Sequence, residues 1–367
     1  MSDLSTADRH WLDAAARHAT NFLGTTADGP TIAALVVNPH DQVLLARAVA
    51  GRGGRPHAEA QAIAGAGFEA AGSTLYVTLE PCHHWGRTPP CVDAIIRGGI
   101  MRVVIGASDP DPLVAGSTIA QLESAGVETI LARHAPSLSL HAGHILRHTA
   151  NRPFVTAMLT VSEDGMIGRN GEGRVVQAGP AASRWIDMQR ARNDAILVGA
   201  ATARQDEPSL IVSLPGLSAR TPLRVVLAGA AGVGRDIKLI GGFSGHRTAV
   251  IAQTEVSVDA PVSVETIRVA GHDGRPDFVD ALAALAGRGI QNLLVESGQR
   301  LVSGLLEADL VDRFALTLAP MRVGGDGIAA SPDGPIADLL EAAGLLETGR
   351  QRLGSDVLVL YERPAAE

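Results

Sequence analysis

Cysteine is nearly absent from this chain: 367 residues contain two, Cys82 and Cys91. With both committed elsewhere, no disulfide framework remains to hold the fold. Aromatics make up only 3% of residues, so Ala, Val, Leu and Gly must fill the core. There is no block of Lys and Arg and the net charge is −8. That argues against a nucleic-acid partner, because neutralising phosphates takes clustered cations. The N-terminus lacks a basic segment followed by an apolar one, and no apolar run reaches membrane-spanning length. The expectation is therefore a cytoplasmic protein with no membrane partner. What is present is 46% apolar residues, a globular composition, in a chain longer than one comfortable core, so two domains are expected.

The densest chemistry runs from Pro56 to Cys91, with P-H-A-E at 56–59 and T-L-E-P-C-H-H-W-G-R-T-P-P-C at 78–91. His57, Cys82 and Cys91 form a three-ligand set for zinc. One imidazole and two thiolates suit a tetrahedral ion with its fourth position open, the layout of a catalytic site, where the metal lowers the pKa of a bound water. Glu59 is too close in sequence to His57 to be a good fourth ligand and is well placed to move a proton between that water and a leaving amine. The arrangement is the H-x-E…P-C signature of zinc nucleobase deaminases, except that eight residues rather than two separate the cysteines. His83 or His84 could instead close the site as a structural one, and two cysteines can be plain buried hydrophobes. The spacing favours the open site. H-A-E opens a helical run at 58–66 and P-C another at 92–97, which would set the ligands at helix N-termini, where thiolates are favoured.

Along the chain, helical periodicity covers Thr6–Phe22. Strand patterns follow at 31–37 and 42–46, then the His57 helix, a strand at 73–79 and the cysteine loop with its helix. A strand at 102–105, a helix at 117–125 and a strand at 127–131 complete this half. Alternation of strand and helix predicts an α/β layered domain with a mixed sheet. Residues 132–150 carry His134, His141, His144 and His148. A second metal is one reading of them and a connecting helix with solvated imidazoles the preferred one. From Phe154 the α/β pattern restarts, with strands at 154–161, 195–198, 223–228, 248–252, 292–296, 312–318 and 356–363, and helices at 181–192, 277–286 and 301–307. No internal repeat links the halves. The expected domains are 1–150 and 151–367.

The 78–91 element resembles the T-L-E-P-C-S-H-H-G-R-T-P-P-C element of the bifunctional riboflavin-biosynthesis deaminase/reductase family. The second half resembles the family's reductase through S-E-D-G at 162–165, R-A-R-N-D-A-I-L-V-G at 190–199, T-x-x-x-D-E-P-S-L at 202–210, V-E-S-G at 295–298 and A-P-M-R-V-G-G at 319–325. The resemblance implies a cytidine-deaminase-like α/β/α domain followed by a dihydrofolate-reductase-like α/β domain, with Zn²⁺ and NADPH as cofactors and a homo-oligomeric state. It implies deamination of 2,5-diamino-6-ribosylamino-4(3H)-pyrimidinone 5′-phosphate, then reduction of its ribosyl chain to ribityl. Thr160, Thr202, Asp206, Gly298, Gly304, Gly324 and Gly325 match cofactor positions, and Arg174, Arg190, Leu210 and Glu296 substrate positions. The stretch from Gly298 to Gly304, between a strand end and a helix start, could hold a cofactor phosphate on backbone N–H groups, and Gly324-Gly325 could make a second such contact.

The departures lie in the substrate-holding groups. Gly29-Pro30 stands where the family has Asn-Pro, Ala50 replaces a His, and His83-His84-Trp85 replaces Ser-His-His. In the second half Met158, Arg174, Val176, Ser213 and Gly229 replace the usual Lys, Ser, Trp, Arg and Ser. Arg174 and the retained Arg190 are expected to supply charge lost at Ser213. The alternatives are a divergent paralogue that deaminates another small heterocycle with an altered or idle reductase half, and a non-catalytic zinc-stabilised scaffold. Glu59 speaks against the scaffold, since folding needs the ligands and not the acid.

Overall fold

The computed structural model describes residues 4–86, 88–242, 245–332 and 334–364; Arg87 of the cysteine loop lies outside them. The chain divides into two compact units, Met1–Asn151 and Arg152–Glu367. Among the described residues, no helix is long and apolar enough to cross a membrane.

The first unit runs α1 (Thr6–Thr20), β1 (Ala33–Val37), β2 (Leu44–Val49), α2 (Ala58–Ala66), β3 (Thr74–Val77), α3 (Cys91–Arg97), β4 (Arg102–Ile105), α4 (Ser117–Ser124), β5 (Glu128–Leu131), α5 (Ala135–Leu140) and α6 (Ala142–Thr149). Its five-stranded sheet has the order β2-β1-β3-β4-β5. β1 is antiparallel to β2 and β3, whereas β3, β4 and β5 are parallel. Strand side chains alternate between faces. Ala34, Val36, Leu75, Val77, Val103 and Ile105 face α2, α3 and α4, while Ala33, Leu35, Val37, Tyr76 and Val104 face α1 and α5. Every one of these positions is apolar, so the sheet is buried on both sides and the unit is an α/β/α sandwich.

β2 begins at Leu44 and not at Gln42, because the turn before it is longer than its sequence suggests. Asn38 donates to the Val43 carbonyl at 2.9 Å, and its own carbonyl accepts from Gln42 N–H at 3.0 Å. At the start of α1, Ser5 Oγ accepts the Asp8 N–H at 3.1 Å. Leu12, Ala15 and Ala19 form the buried stripe, but the helix ends at Thr20 and Phe22 is exposed.

Asp8 ties α1 to the sheet. Its carboxylate, 3% exposed, accepts from Arg102 Nη1 at 2.6 Å, Arg102 Nη2 at 3.0 Å and the Tyr76 hydroxyl at 2.9 Å. Burial pushes its pKa up, but the bonds from Arg102, Ser5 and Tyr76 prevail and hold it at about 2. An unfolded Asp titrates near pH ~4, so the pair's contribution is complete above that pH and drains away as pH falls toward 2. We expect Asp8→Asn to cost about 2 kcal/mol at neutral pH and to flatten acid unfolding between pH ~4 and ~2. Urea titrations followed by circular dichroism across that range would show it; an acid limb identical to wild type would refute the assignment.

The histidines of 132–150 are not solvated, contrary to the sequence expectation. His134, His141 and His144 are buried; only His148 is exposed. Each buried ring has a partner: His134 Nδ1 lies 3.0 Å from Ser137 Oγ, His141 Nε2 3.0 Å from Thr78 Oγ1, and His144 Nε2 2.8 Å from Asp109 Oδ1. His141 and His144 fasten α6 to the segments that follow β3 and β4, and His134 Nε2, 3.1 Å from Asp13 Oδ1, ties the start of α5 to α1. Burial pushes His141 down to about 3, so it is neutral there.

The second unit runs β6 (Phe154–Ser162), β7 (Met166–Arg169), α7 (Pro180–Arg192), β8 (Ala195–Gly199), α8 (Ala200–Gln205), β9 (Leu223–Leu227), α9 (Lys238–Gly241), β10 (Thr248–Gln253), β11 (Glu265–Val269), β12 (Gly271–His272), β13 (Arg275–Pro276), α10 (Phe278–Ala286), β14 (Asn292–Glu296), α11 (Gln299–Glu307), β15 (Arg313–Ala319), β16 (Gly327–Ala329), α12 (Ile336–Ala342), β17 (Leu346–Leu353) and β18 (Asp356–Glu362). Its nine-stranded sheet has the order β11-β10-β9-β8-β14-β6-β15-β18-β17. The strands are parallel from β11 to β15, and β18 runs antiparallel to both β15 and β17. One face packs on α10 and α11 through Val155, Leu197, Leu293 and Val295, the other on α7, α8 and α9 through Ile196, Val198, Val226 and Leu294.

Candidate functional site

In the first unit the functional groups sit at the ends of β3 and at two helix starts. His57 is the N-cap of α2, Cys91 opens α3, and Cys82 lies in the extended segment after β3. Cys82 is therefore not itself on a helix, as the spacing had suggested; it accepts the Cys91 N–H on its sulfur at 3.5 Å. His57 Nδ1 is 3.1 Å from Cys91 Sγ and 3.5 Å from Cys82 Sγ, and the three donor atoms lie within 4.8 Å of one another. Tetrahedral zinc with bonds of about 2.0–2.3 Å fits such a triangle.

The chemistry of the donor set fits a cation. The Cys91 thiol and His57 draw the Cys82 pKa far down against the effect of burial, while Cys91, sharing that proton and buried, is driven far up. Two thiolates cannot coexist there without a positive ion. Glu59, in the first turn of α2, is 1% exposed and its Oε2 has no partner. Burial, then the nearby Cys82 sulfur, push its carboxyl up to about 7. A buried carboxyl with an unused oxygen beside a ligand triangle has the chemistry to accept and release a proton there. His83 and His84 remain outside the triangle, each with a buried and unpartnered Nδ1. Ala50, where the family carries a His, is buried.

In the second unit three clefts meet around Arg174. One, of about 460 Å³, contains Thr160, Arg174, Arg190 and Glu296; a second, also about 460 Å³, contains Thr202, Asp206 and Gly298. A third, of about 310 Å³, joins them and adds Leu210. Arg190 is not a free cation. Its Nε and Nη2 donate to the two oxygens of buried Glu296, each at 2.7 Å, and Nη1 donates to Asp187 Oδ1 at 3.0 Å and the Ile211 carbonyl at 3.2 Å. It therefore cannot replace the charge lost at Ser213. Ser213 spends both its N–H and its hydroxyl on Asp187 Oδ2. Sequence reasoning assigned Asp187 no role, although its position three residues before Arg190 is an ion-pair spacing.

Gly298 is the N-cap of α11 and, having no side chain, leaves the first-turn N–H groups open to a phosphate. Its own N–H donates to Thr202 Oγ1 at 3.3 Å, and Ser297 Oγ accepts from Gly199 N–H at 3.1 Å, knitting the β8 and β14 ends together. Ser297, within the V-E-S-G motif, was missed as a part of this turn. Two cofactor assignments are corrected. Gly304 lies inside α11, where a Cβ would sit 2.9 Å from the Phe278 ring, so its smallness serves packing against α10. Gly324 N–H already donates to Asp164 Oδ2 at 2.9 Å and Val323 N–H to Oδ1 at 3.2 Å; this carboxylate fills the place the sequence had given to a phosphate, and Gly325 beside it lines none of the three clefts.

Comparison with known proteins agrees with both halves. Residues 5–107 match the cytidine and deoxycytidylate deaminase zinc-binding region, and residues 153–359 match the RibD C-terminal domain. The chain is 33% identical over 338 residues to the riboflavin biosynthesis protein RibD of Escherichia coli K12, covering 87% of this chain and 89% of that protein. It is 30% identical over 366 residues to RibD of Aquifex aeolicus, covering 97% and 98%. Among solved structures, Acinetobacter baumannii RibD superposes with a TM-score of 0.84 at 26% identity, covering 98% of this chain and 99% of that one. The Thermotoga maritima deaminase/reductase gives 0.82 at 28% identity, covering 98% and 99%.

Proposed function

Because this chain belongs to the RibD family, zinc- and NADPH-dependent enzymes that deaminate and then reduce a riboflavin precursor, we propose that residues 1–150 carry the deamination and 151–367 the reduction. The observation that carries the first assignment is Glu59, buried, with a free Oε2, two residues from His57 in the ligand triangle. Zinc held by His57, Cys82 and Cys91 supplies Lewis acidity, which makes water acidic near neutral pH. Glu59 takes the proton of that water as it adds to C2 of 2,5-diamino-6-ribosylamino-4(3H)-pyrimidinone 5′-phosphate. It hands the proton to the departing amine, so ammonia leaves and a carbonyl remains. Burial keeps the carboxyl near neutrality in pKa, which suits a group that must both accept and release a proton.

In the second unit bound NADPH would supply a hydride to C1′ of the ribosyl group; the bond from C1′ to the ring oxygen would break and that oxygen would take a proton from solvent, which gives the ribityl chain. The first turn of α11 with Thr202 and Asp206 would hold its phosphates and ribose, and Thr160 lines the neighbouring cleft with Arg190 and Glu296. Glu296 and Arg190, locked together, form a rigid wall of that cleft. The substrate is a small pyrimidine ribosyl phosphate, and the working compartment is the cytoplasm, where NADPH is supplied.

The test is incubation of the purified protein with the diaminopyrimidine phosphate, with and without NADPH. Ammonia should appear without NADPH, and NADPH should be oxidised only as the deaminated product forms. Ammonia release with no NADPH oxidation, even from the deaminated compound, would remove the reductase assignment. Metal analysis adds a further expectation: one zinc per chain in wild type and clear loss in Cys82→Ser, whereas full retention would make another group the ligand.

A further inference from the structure

We infer that Arg174 and Arg184 together form the binding pair for the phosphate dianion of the substrate in the Arg190–Glu296 cleft. This rests on the reductase reading given above. The cleft is lined by five charged residues: Arg174, Arg184, Asp187, Arg190 and Glu296. Three of them are consumed by one another, since Arg190 is bonded to both Glu296 and Asp187. That trio carries one net negative charge and would repel a phosphate dianion. Ser213 adds no donor, because its hydroxyl and N–H are already on Asp187.

Arg174 and Arg184 are different. Both are exposed, and neither guanidinium has an ion pair or side-chain hydrogen bond among the described residues. They turn the cleft from one net negative charge to one net positive charge. Each guanidinium presents a planar fork that matches two phosphate oxygens, so two such forks can satisfy a monoester dianion. Their backbones are held firmly. Arg174 N–H donates to Asp206 Oδ1 at 3.1 Å, and the preceding Gly173 has φ +76° with Asp206 Oδ1 only 2.7 Å from where a Cβ would be. Arg184 lies on α7, six residues before Arg190, which is roughly 9 Å along the helix axis. Arg174 also lines the smaller clefts that contain Glu296, so the pair spans the cleft from α7 to the Glu296 side.

The probe is ribose 5-phosphate, with ribose as its control, titrated calorimetrically into the full chain. Wild type should bind the phosphate and prefer it to ribose. Arg174→Gln and Arg184→Gln should each weaken ribose 5-phosphate roughly ten- to a hundred-fold while leaving thermal unfolding unchanged, and Arg184→Lys should recover part of the loss. In turnover the same variants should raise the reductase KM and largely keep kcat. Wild-type affinity in Arg184→Gln, or no wild-type preference for the phosphate over ribose, would overturn the pair. Failure of wild type to oxidise NADPH while these binding differences hold would strike the reductase reading and leave the pair standing.

Discussion

Replacing Glu59 by Gln is expected to leave zinc bound at one per chain and to cut ammonia release by a factor of at least ~10²–10⁴, the usual contribution of a positioned acid–base group. The amide is nearly isosteric with the carboxyl it replaces, and the three metal donors belong to other residues. It can neither take a proton from water nor return one to the amine. The variant should fold about as well as wild type, since Glu59 is a buried carboxyl whose Oε2 meets no partner and an amide there carries less desolvation cost. Metal analysis with a steady-state ammonia assay decides the matter. A variant that keeps zinc and the wild-type rate would move the proton carrier elsewhere, and one that loses zinc would make Glu59 a ligand.

The second large effect is expected at Glu296. Its carboxylate is 6% exposed and is bonded twice to Arg190. Truncation to Ala leaves that guanidinium in the cleft wall with only Asp187 and the Ile211 carbonyl as partners. Removing one partner of a buried pair typically costs ~3–5 kcal/mol, and NADPH oxidation should vanish with the wall that positions the sugar. Ammonia release should persist, because the zinc ligands and Glu59 all lie in residues 57–91. Glu296→Gln keeps the shape and should cost less. The double change Arg190→Met with Glu296→Leu should regain stability without regaining reduction, because it removes both buried charges together. Denaturant titration alongside both assays separates these outcomes; an unchanged unfolding midpoint in Glu296→Ala would show the pair to be idle.

What the sequence made legible follows from where the physics is local. The metal triad could be read because zinc demands particular donors, and two cysteines in the whole chain left few combinations. Buried strands such as Asn292–Glu296 were found at their true bounds because a strand covered on both faces is a continuous apolar run. β17, L-E-T-G-R-Q-R-L, escaped because most of its side chains are exposed and it carries a register shift, so no alternation marks it. The histidines of α5 and α6 were misjudged because their partners, Thr78 and Asp109, are far away in sequence. Arg190 looked like a free cation for the same reason: Glu296 reaches it only across the fold. Gly304 illustrates another limit. A glycine that admits a ligand and one that admits a neighbouring ring read the same until Phe278 is in place.

The strand order of the larger sheet sets a timetable for synthesis. β6 is made first among its strands, yet both its neighbours, β14 and β15, are encoded near the far end of the chain. While the ribosome works through the intervening segment, the nine residues F-V-T-A-M-L-T-V-S of β6 have no edge to join. That segment is apolar, rich in β-branched residues and uncharged, a composition prone to pairing with its like. The zinc triad, by contrast, is complete once Cys91 has emerged, so metal can be captured while the second half is still being made. A nascent chain stalled before Asn292 should therefore hold zinc but expose β6 to chaperones, and folding yield should be limited by the late arrival of β14 and β15 rather than by the metal.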